Sequence, residues 1–251
     1  MEKIAIISDI HSNITAFNRV LEDIEDRGIK RIFCAGDLVL KGSSPCEVVD
    51  KVKQKCEVIV KGNADEGAIN GTTPHKVWHR EKLGKERIEY LNQLPMYYDF
   101  YMSGSLIRMF HASRNDTNFR IMDFDNVEEK IKLFEDENGR IPDIILYGDI
   151  HIQYMQKFYN KTLVNVGSVG NVVEFLNHDE NIKDMSETTQ AYYTILEGNY
   201  GSTERSSFSI QFVRVPYDIN EEIEIAKKNE IPSLENYILE LTTGMYRKNK
   251  K

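Results

Sequence analysis

The 251-residue sequence has few cysteines, no long apolar run and no excess of basic residues. Its three cysteines, Cys34, Cys46 and Cys56, lack the even count and paired spacing of a disulfide or zinc framework, which favours a reducing compartment. The first apolar stretch, 4–7, is too short for a secretion signal or a membrane span. We therefore expect a cytoplasmic protein with no membrane partner.

The net charge of -8 argues against binding to nucleic acid duplexes, because an acidic surface repels a polyanion. A phosphate-bearing substrate would have to be attracted by bound cations. With 41% hydrophobic residues, the chain is long enough to bury a substantial core, and a single domain over 1–251 accounts for its length. The sequence does not indicate an oligomeric state.

Apolar runs alternate with helical patterns in the first 65 residues. The pattern predicts strands at 4–7, 32–35 and 57–60, with helices over 15–27 and 46–55 between them. This alternation is typical of a parallel sheet with its ligand site at the carboxyl ends of the strands.

Strands in succession dominate the rest of the chain. The sequence predicts an α/β fold of two packed sheets flanked by helices, with a core over about 1–215, a helical insert at about 72–94 and C-terminal helices at about 219–246, broken at Pro232. The further predicted elements are a hairpin at 97–102 and 106–110, a helix at 127–136, strands at 144–147, 153–159, 162–166, 192–197 and 207–215, and a polar loop at 177–190.

Side chains that bind metals follow the predicted strand ends in five segments. Oxygen and imidazole donors delivered from separate strands are what two adjacent divalent cations require, and one carboxylate can bridge both. Any one of these residues alone is more often a helix cap, a turn residue or a buried histidine, but their order and spacing favour a metal site. The candidate ligands are Asp9, His11, Asp37, Asn63, His111, Asp149 and His151.

The same segments resemble the five ordered motifs of the calcineurin-like metallophosphoesterases. The motifs read Asp9-Ile10-His11, Gly36-Asp37, Gly62-Asn63-Ala64-Asp65, His111 and Gly148-Asp149-Ile150-His151. The resemblance extends over about 1–172, and the run 164–170 also resembles small bacterial members with phosphodiesterase or dinucleoside polyphosphate hydrolase activity.

This resemblance implies a four-layer α-β-β-α sandwich and two divalent metal ions, Mn²⁺ and/or Fe²⁺. Asp9, His11 and His151 would hold the first ion, Asp37 would bridge, and the second ion would be held by Asn63, His111 and Asp149. The implied reaction is hydrolysis of a phosphodiester, a phosphomonoester or a nucleotide pyrophosphate by a hydroxide held between the ions. Asp65 is a candidate catalytic residue, and Asn63 is also a candidate for substrate binding.

Two positions depart from the family pattern. Asp149 and Ala64 stand where the family usually has histidine. A harder, anionic ligand at position 149 favours Mn²⁺ or Fe²⁺ at the second site. The loss of an imidazole at position 64 removes a group that would protonate the leaving group, a role worth about 10²–10⁴ in rate. We therefore expect activated esters and pyrophosphate linkages to be better substrates than simple alkyl phosphates.

Other residues offer replacements for the missing acid and contacts for the substrate. His75, Trp78 and His79 have the spacing of one helical face, which could supply a proton donor or stack a base, or could belong to an ordinary surface helix. Arg114 could bind a substrate phosphate or be an exposed arginine, while His178 matches no role.

Two other functions stay open. A metallophosphoesterase fold that has lost catalytic residues can act as a protein-binding scaffold, as the retromer subunit of the same fold does. A protein phosphatase would differ only in its substrate. An open surface around 72–94 would admit a protein substrate.

Overall fold

The computed structural model describes residues 1–136, 139–173 and 190–245, whose strands form two five-stranded sheets. The first sheet contains β1 (Glu2–Ile7), β2 (Arg31–Cys34), β3 (Val58–Ile59), β9 (Ala191–Gly198) and β10 (Ser209–Val215). Their order is β10-β9-β1-β2-β3, with β1, β2 and β3 parallel and the β1–β9 and β9–β10 pairs antiparallel.

The second sheet is also mixed. It contains β4 (Tyr97–Met102), β5 (Ser105–Phe110), β6 (Ile144–Tyr147), β7 (Tyr154–Phe158) and β8 (Lys161–Asn165). Their order is β4-β5-β6-β8-β7, in which the β5–β6 and β6–β8 pairs are parallel and the two outer pairs are antiparallel.

Burial on both faces of the central strands divides the core into layers. In β1, Ile4 and Ile6 belong to the apolar cluster between the two sheets, whereas Ala5 and Ile7 belong to a cluster shared with helices. The residues of β6 alternate in the same way. Because successive side chains of a strand point to opposite faces, a strand buried on both sides must lie in an inner layer.

Helices cover the outer face of each sheet, which completes the predicted four-layer sandwich. Burial of Phe17 and Val20 against the first sheet shows how α1 uses one apolar face. The first sheet is covered by α1 (Ile14–Asp26), α2 (Pro45–Lys55), α3 (Asn63–Asn70) and α4 (Pro74–Gln93), and the second by α5 (Val127–Ile131) with a 3₁₀ turn, Lys132–Phe134.

The last two described helices, α6 (Ile219–Lys228) and α7 (Leu234–Thr243), pack beside the first sheet's loops. They form a small apolar cluster that includes Trp78 from α4. The prediction of two C-terminal helices separated near Pro232 is confirmed. No helix in the described part of the chain is long and apolar enough to cross a bilayer.

Two local predictions differ from the structure, and a third falls outside the described residues. Residues Asn63–Asn70 form a helix that apolar periodicity did not reveal, because it is short and contains Gly67. The predicted helix at 127–136 is an α-helix only as far as Ile131. It continues as a 3₁₀ turn, in which Leu133 and Phe134 are buried in the core. The loop at 177–190, His178 included, falls outside the described residues apart from its last position.

Candidate metal centre

The predicted ligands converge because the carboxyl ends of parallel strands from both sheets meet at one edge. Residues after β1, β2 and β3 supply one part of the centre, and residues after β5 and β6 supply the other. Backbone hydrogen bonds join the loops: the Asp9 N–H donates to the Gly36 carbonyl and the Gly148 N–H to the His111 carbonyl, at 3.0 and 2.9 Å. These hydrogen bonds hold the loops together.

Five of the ligand positions have a left-handed backbone. The φ angles are 54° at Asp9, 50° at His11, 54° at Asp37, 64° at Asp149 and 62° at His151. This conformation costs a non-glycine residue about 1 kcal/mol or more. Such conformations persist only where surrounding contacts enforce them, and their concentration in these loops supports a functional site.

The three histidines share one hydrogen-bonding arrangement. The Nδ1 atoms of His11 and His111 lie 3.2 and 2.9 Å from the carbonyl oxygens of Val39 and Ala35, and His151 Nδ1 contacts the carbonyl of Asn171. A carbonyl only accepts, so Nδ1 carries the proton and Nε2 keeps its lone pair when the ring is neutral. This arrangement is usual for histidines that bind metals.

The Nε2 atoms and carboxylate oxygens gather within short distances of one another. His151 Nε2 lies 3.1 Å from Asp9 Oδ1 and 3.2 Å from His11 Nε2. Asp37 lies between two histidines, with Oδ2 3.6 Å from His11 Nε2 and Oδ1 3.3 Å from His111 Nε2. Asp37 therefore has the position expected of a bridging ligand.

Two groups of buried donors are compact enough to hold a cation. One contains Asp9, His11 and His151, and the other contains Asp9, Asp37 and His111. Asp9 Oδ1 and His111 Nε2 are buried and have no hydrogen-bond partner among the described residues. Unsatisfied buried acceptors are costly, and divalent cations would satisfy them. The residues present therefore fit a metal pair.

The histidines and acids alter one another's pKa values. Burial lowers the pKa of His11 well below its usual value, with the nearby Lys41 charge acting in the same direction. Burial acts against the charged form of His111 too, but the carboxylates of Asp37, Asp9 and Asp149 together outweigh it and raise the pKa of His111 well above its usual value. The pKa values of the two histidines therefore move in opposite directions.

Asp65 supports the ligand loop through its backbone. Its oxygens accept hydrogen bonds from the N–H groups of Asp37 at 3.1 Å, Leu38 at 3.0 Å and Gly62 at 2.9 Å. Burial, reinforced by the Asp37 charge, raises the pKa of Asp65 to about 7. Through these contacts Asp65 positions Asp37, and its catalytic role stays a prediction.

The third motif approaches Asp37 closely. A side chain at Gly62 would collide with Asp37, and the N–H of Ala64 donates to Asp37 Oδ1 at 2.7 Å. Asn63 is the first residue of α3 and lines the cavity beside the centre, as does Ala64. The methyl group of Ala64 thus forms part of the cavity wall at the position where the family usually has histidine.

Asp149 forms an ion pair with Arg120. Arg120 Nε and Nη2 donate to the two Asp149 oxygens at 2.7 and 2.8 Å, and Asp149 Oδ1 is 3.9 Å from His111 Nε2. The Asp149 side chain is 2% exposed and that of Arg120 is 40% exposed. Sequence reasoning missed Arg120, because it lies in an irregular segment without a motif.

A polar cavity of about 460 Å³ opens over the ligands. Lys41 is among its cationic residues, and its Nζ donates to Asn171 Oδ1 at 2.5 Å and to Glu240 Oε2 at 3.4 Å. Asn171 and Glu240 were not predicted either, since their relation to the site depends on distant chain segments. The lining residues are His11, Asp37, Leu40, Lys41, Asn63, Ala64, Thr73, His75, Lys76, Asn118, Arg120, Asp149 and His151.

The helical insert reaches the cavity with one of its three candidate residues. His75 lines it, but its Nε2 accepts from the Lys41 N–H at 2.8 Å and its Nδ1 lies 3.3 Å from the Pro232 carbonyl. His79 is fully buried, and burial lowers its pKa to about 3. Trp78 packs against α6 and α7. The structure thus places His79 and Trp78 away from the cavity wall.

Arg114 also lies away from the cavity wall. Its Nη1 donates to Asp136 at 2.9 Å and its guanidinium group lies over the Tyr97 ring. Arg114 therefore belongs to a network with Asp136 and Tyr97, and the expectation that it binds substrate stays a prediction. Arg120 is the arginine that lines the cavity.

Comparisons with known proteins agree with this geometry. The family model described as the calcineurin-like phosphoesterase superfamily domain matches residues 2–183. An uncharacterized protein of Methanocaldococcus jannaschii is 29% identical over 245 residues, which are 91% of this chain and 93% of that protein.

Two solved structures share the fold over nearly the whole chain. A metallophosphoesterase from Sphaerobacter thermophilus has a TM-score of 0.74 at 21% identity, covering 97% of this chain and 100% of that one. A hypothetical protein from Pyrococcus horikoshii has a TM-score of 0.78 at 17% identity, covering 98% and 100%. The fold similarity therefore extends through α6 and α7.

Proposed function

Because the chain belongs to the calcineurin-like phosphoesterase superfamily, we propose that it is a hydrolase of phosphate esters that uses two divalent cations. The observation that supports this most directly is the convergence of three histidine Nε2 atoms on buried carboxylates, with each Nδ1 facing a backbone carbonyl. We further propose a small phosphate ester or nucleotide as substrate and the cytoplasm as location.

The donor set suggests how the cations are shared. Asp9, His11 and His151 would hold the first ion, Asp37 would bridge, and Asn63, His111 and Asp149 would hold the second. When bound, such a pair lowers the pKa of water and neutralises charge on phosphoryl oxygens. Mixed oxygen and nitrogen donors suit Mn²⁺ or Fe²⁺.

The chain's own residues prepare this centre for the reaction. The carbonyls of Val39, Ala35 and Asn171 fix the imidazole orientations, and Asp65 holds the loop that carries Asp37. Positioning of this kind lowers the reorganisation needed during reaction. The cationic side chains at the cavity oppose the chain's negative net charge and attract a phosphate group.

The substrate preference follows from the leaving group. Ala64 has no proton to donate, and the two contacts of His75 indicate a neutral ring with its proton on Nδ1, bonded to a carbonyl. Leaving groups of low pKa depend least on a proton donor. We therefore propose activated esters and pyrophosphate linkages as substrates, and equal turnover of glycerol phosphate and an aryl diester would contradict this.

The test is hydrolysis of bis-p-nitrophenyl phosphate and p-nitrophenyl phosphate by metal-free and Mn²⁺-loaded protein. We expect turnover that depends on Mn²⁺ and is lost in Asp37→Asn. The matched control is Asp50→Asn, which changes a half-exposed carboxylate paired with Arg87. A folded protein that binds no metal and hydrolyses neither ester would instead support the protein-binding scaffold. Turnover of phosphoproteins alone would support a protein phosphatase.

A further inference from the structure

Arg120 forms an ion pair with Asp149, the one predicted metal ligand that stands where the family usually has histidine. Both oxygens of Asp149 accept from its guanidinium group, at 2.7 and 2.8 Å. Paired N–H donors on one carboxylate make a strong and directional ion pair. Arg120 lies outside the helices and strands, and its side chain is 40% exposed.

The same two oxygens are expected to face the second cation. Asp149 Oδ1 is 3.9 Å from His111 Nε2, whereas the compact group around Asp37 and His111 takes its third donor from Asp9. A guanidinium group beside a dication repels it and competes for the carboxylate lone pairs. The arginine therefore weakens the second cation site for as long as it is paired with Asp149.

We propose that Arg120 is an exchangeable counter-ion, which moves from Asp149 to the substrate's phosphate and so makes phosphate and the second cation bind cooperatively. This inference rests on the proposed function. Arg120 and Asp149 line the same cavity, and the planar guanidinium group matches phosphate oxygens as well as it matches a carboxylate. Once phosphate accepts the arginine's N–H groups, the Asp149 oxygens are available to the cation.

Reciprocity makes this coupling measurable without turnover. If phosphate raises the affinity of the second cation, the second cation must raise the affinity of phosphate by the same factor. Ligand-orienting contacts next to metals typically change metal affinity by about 10-fold to 100-fold. We therefore expect a coupling of about tenfold in the wild-type protein.

The experiment is calorimetric titration of metal-free protein with Mn²⁺, in the absence and presence of inorganic phosphate. Electron paramagnetic resonance identifies the step at which two Mn²⁺ ions become coupled. The wild-type protein should show one tight and one weaker step, with the weaker step strengthened about tenfold by phosphate. In Arg120→Gln, the second step should already be about tenfold stronger without phosphate, and phosphate should strengthen it by a smaller factor than in the wild-type protein.

Arg27→Gln is the matched control. Arg27 donates its Nε to Asp23 Oδ2 at 2.7 Å with a similar exposure, but it belongs to the end of α1, so its removal should leave both steps unchanged. Weakening or no change of the second step in Arg120→Gln, or a phosphate effect as large as in the wild-type protein, overturns the inference. If the wild-type protein binds two Mn²⁺ ions and hydrolyses esters, that failure leaves the proposed function intact. A wild-type protein that binds no Mn²⁺ overturns both.

Discussion

Two regions of the molecule contain buried carboxylates, and they differ in how the carboxylate oxygens are hydrogen-bonded. At the candidate metal centre, Asp9 is 0% exposed, and one of its oxygens has no hydrogen-bond partner in the described part of the chain. Between α6 and the first sheet's loops, Glu222 is also 0% exposed, but it accepts from Thr15 Oγ1 at 2.9 Å, Tyr237 Oη at 3.0 Å and Ser43 Oγ at 3.4 Å. One region leaves acceptors for a cation, and the other satisfies them with neutral donors.

The contrast extends to charge. Near Asp9, His151 supplies the main stabilising charge, and the net effect lowers the pKa of Asp9 although burial alone would raise it. For Glu222, burial outweighs all the donors and raises the pKa from 4.5 to about 7. Burial among hydroxyl groups favours the neutral, protonated form of a carboxyl group. A carboxyl group surrounded by imidazoles instead stays ionised and able to bind metal. The two regions therefore predict opposite responses to removal of an acid.

The largest effect is expected from Asp37→Asn. Its carboxylate lies between His11 and His111, so its loss removes a negative charge from beside both histidines. Several kcal/mol of charge stabilisation correspond to a fall in kcat/KM of about 10³-fold or more. Steady-state kinetics with an aryl diester measures it. The comparison is Glu222→Gln, which should keep wild-type kinetics at pH 7, and an equal loss in both variants would contradict the division of roles.

Cation binding should stabilise the folded protein by the next largest amount. Free Mn²⁺ at about 1,000 times its Kd adds about 4 kcal/mol to the free energy of unfolding, which raises Tm by about 10 °C in a chain of this size. Asp9→Asn should abolish the shift, because Asp9 belongs to both donor groups. Glu222→Gln should keep the shift in full. Thermal melts with chelator and with Mn²⁺ give the answer, and a shift that survives in Asp9→Asn would exclude the assigned centre.

The ligands were accessible to sequence reasoning because each follows a strand whose apolar pattern is local. Asp9, Asp37 and Asp149 stand directly after short apolar runs, and parallel strands bring such ends together. Arg120 and Glu222 have no such pattern. Their partners lie 29 and 207 residues away along the chain, so only tertiary packing shows what they contact.

The helices show the same limit. Alternating burial in β1 and the apolar face of α1 are properties of short windows, so the layers could be predicted. Of the three residues predicted to share a helical face, Trp78 packs against α6 and α7 and His79 is buried, whereas His75 lines the cavity. Periodicity defines which residues share a face, and packing against distant elements decides where that face points.

Glu222→Gln should change the pH dependence of stability. The folded-state pKa of about 7 lies above the usual 4.5, so the native protein binds a proton that the unfolded chain has released between these values. Stability therefore falls as the pH rises from about 4.5 to about 7, by up to about 3 kcal/mol. Glutamine removes this loss, and the variant should be more stable than wild type at pH 8 and similar to it at pH 4.5.

Urea unfolding at pH 4.5, 6 and 8 measures this effect in metal-free protein. Glu224→Gln is the control, since Glu224 is on the same helix and its side chain is 71% exposed. It should follow the wild-type curve. A Glu222→Gln curve parallel to wild type over the whole range would show that Glu222 is ionised in the folded protein.

The smallest effect tests whether every buried glutamate in this region behaves alike. Glu240, 1% exposed on α7, accepts from Asn171 Nδ2 at 3.0 Å and from the Lys41 ammonium group at 3.4 Å. Glu240→Gln removes the negative partner of a mostly buried lysine, which should lower the free energy of unfolding by about 1–2 kcal/mol at pH 8, with Lys41's remaining exposure limiting the loss. The same chemical change should therefore stabilise the protein at position 222 and destabilise it at position 240.

Adding Lys41→Met to Glu240→Gln should recover most of the lost stability, because the lysine charge that lost its partner is then removed. A double variant as unstable as the sum of the single ones would show that Glu240 supports the fold through Asn171 rather than through the lysine.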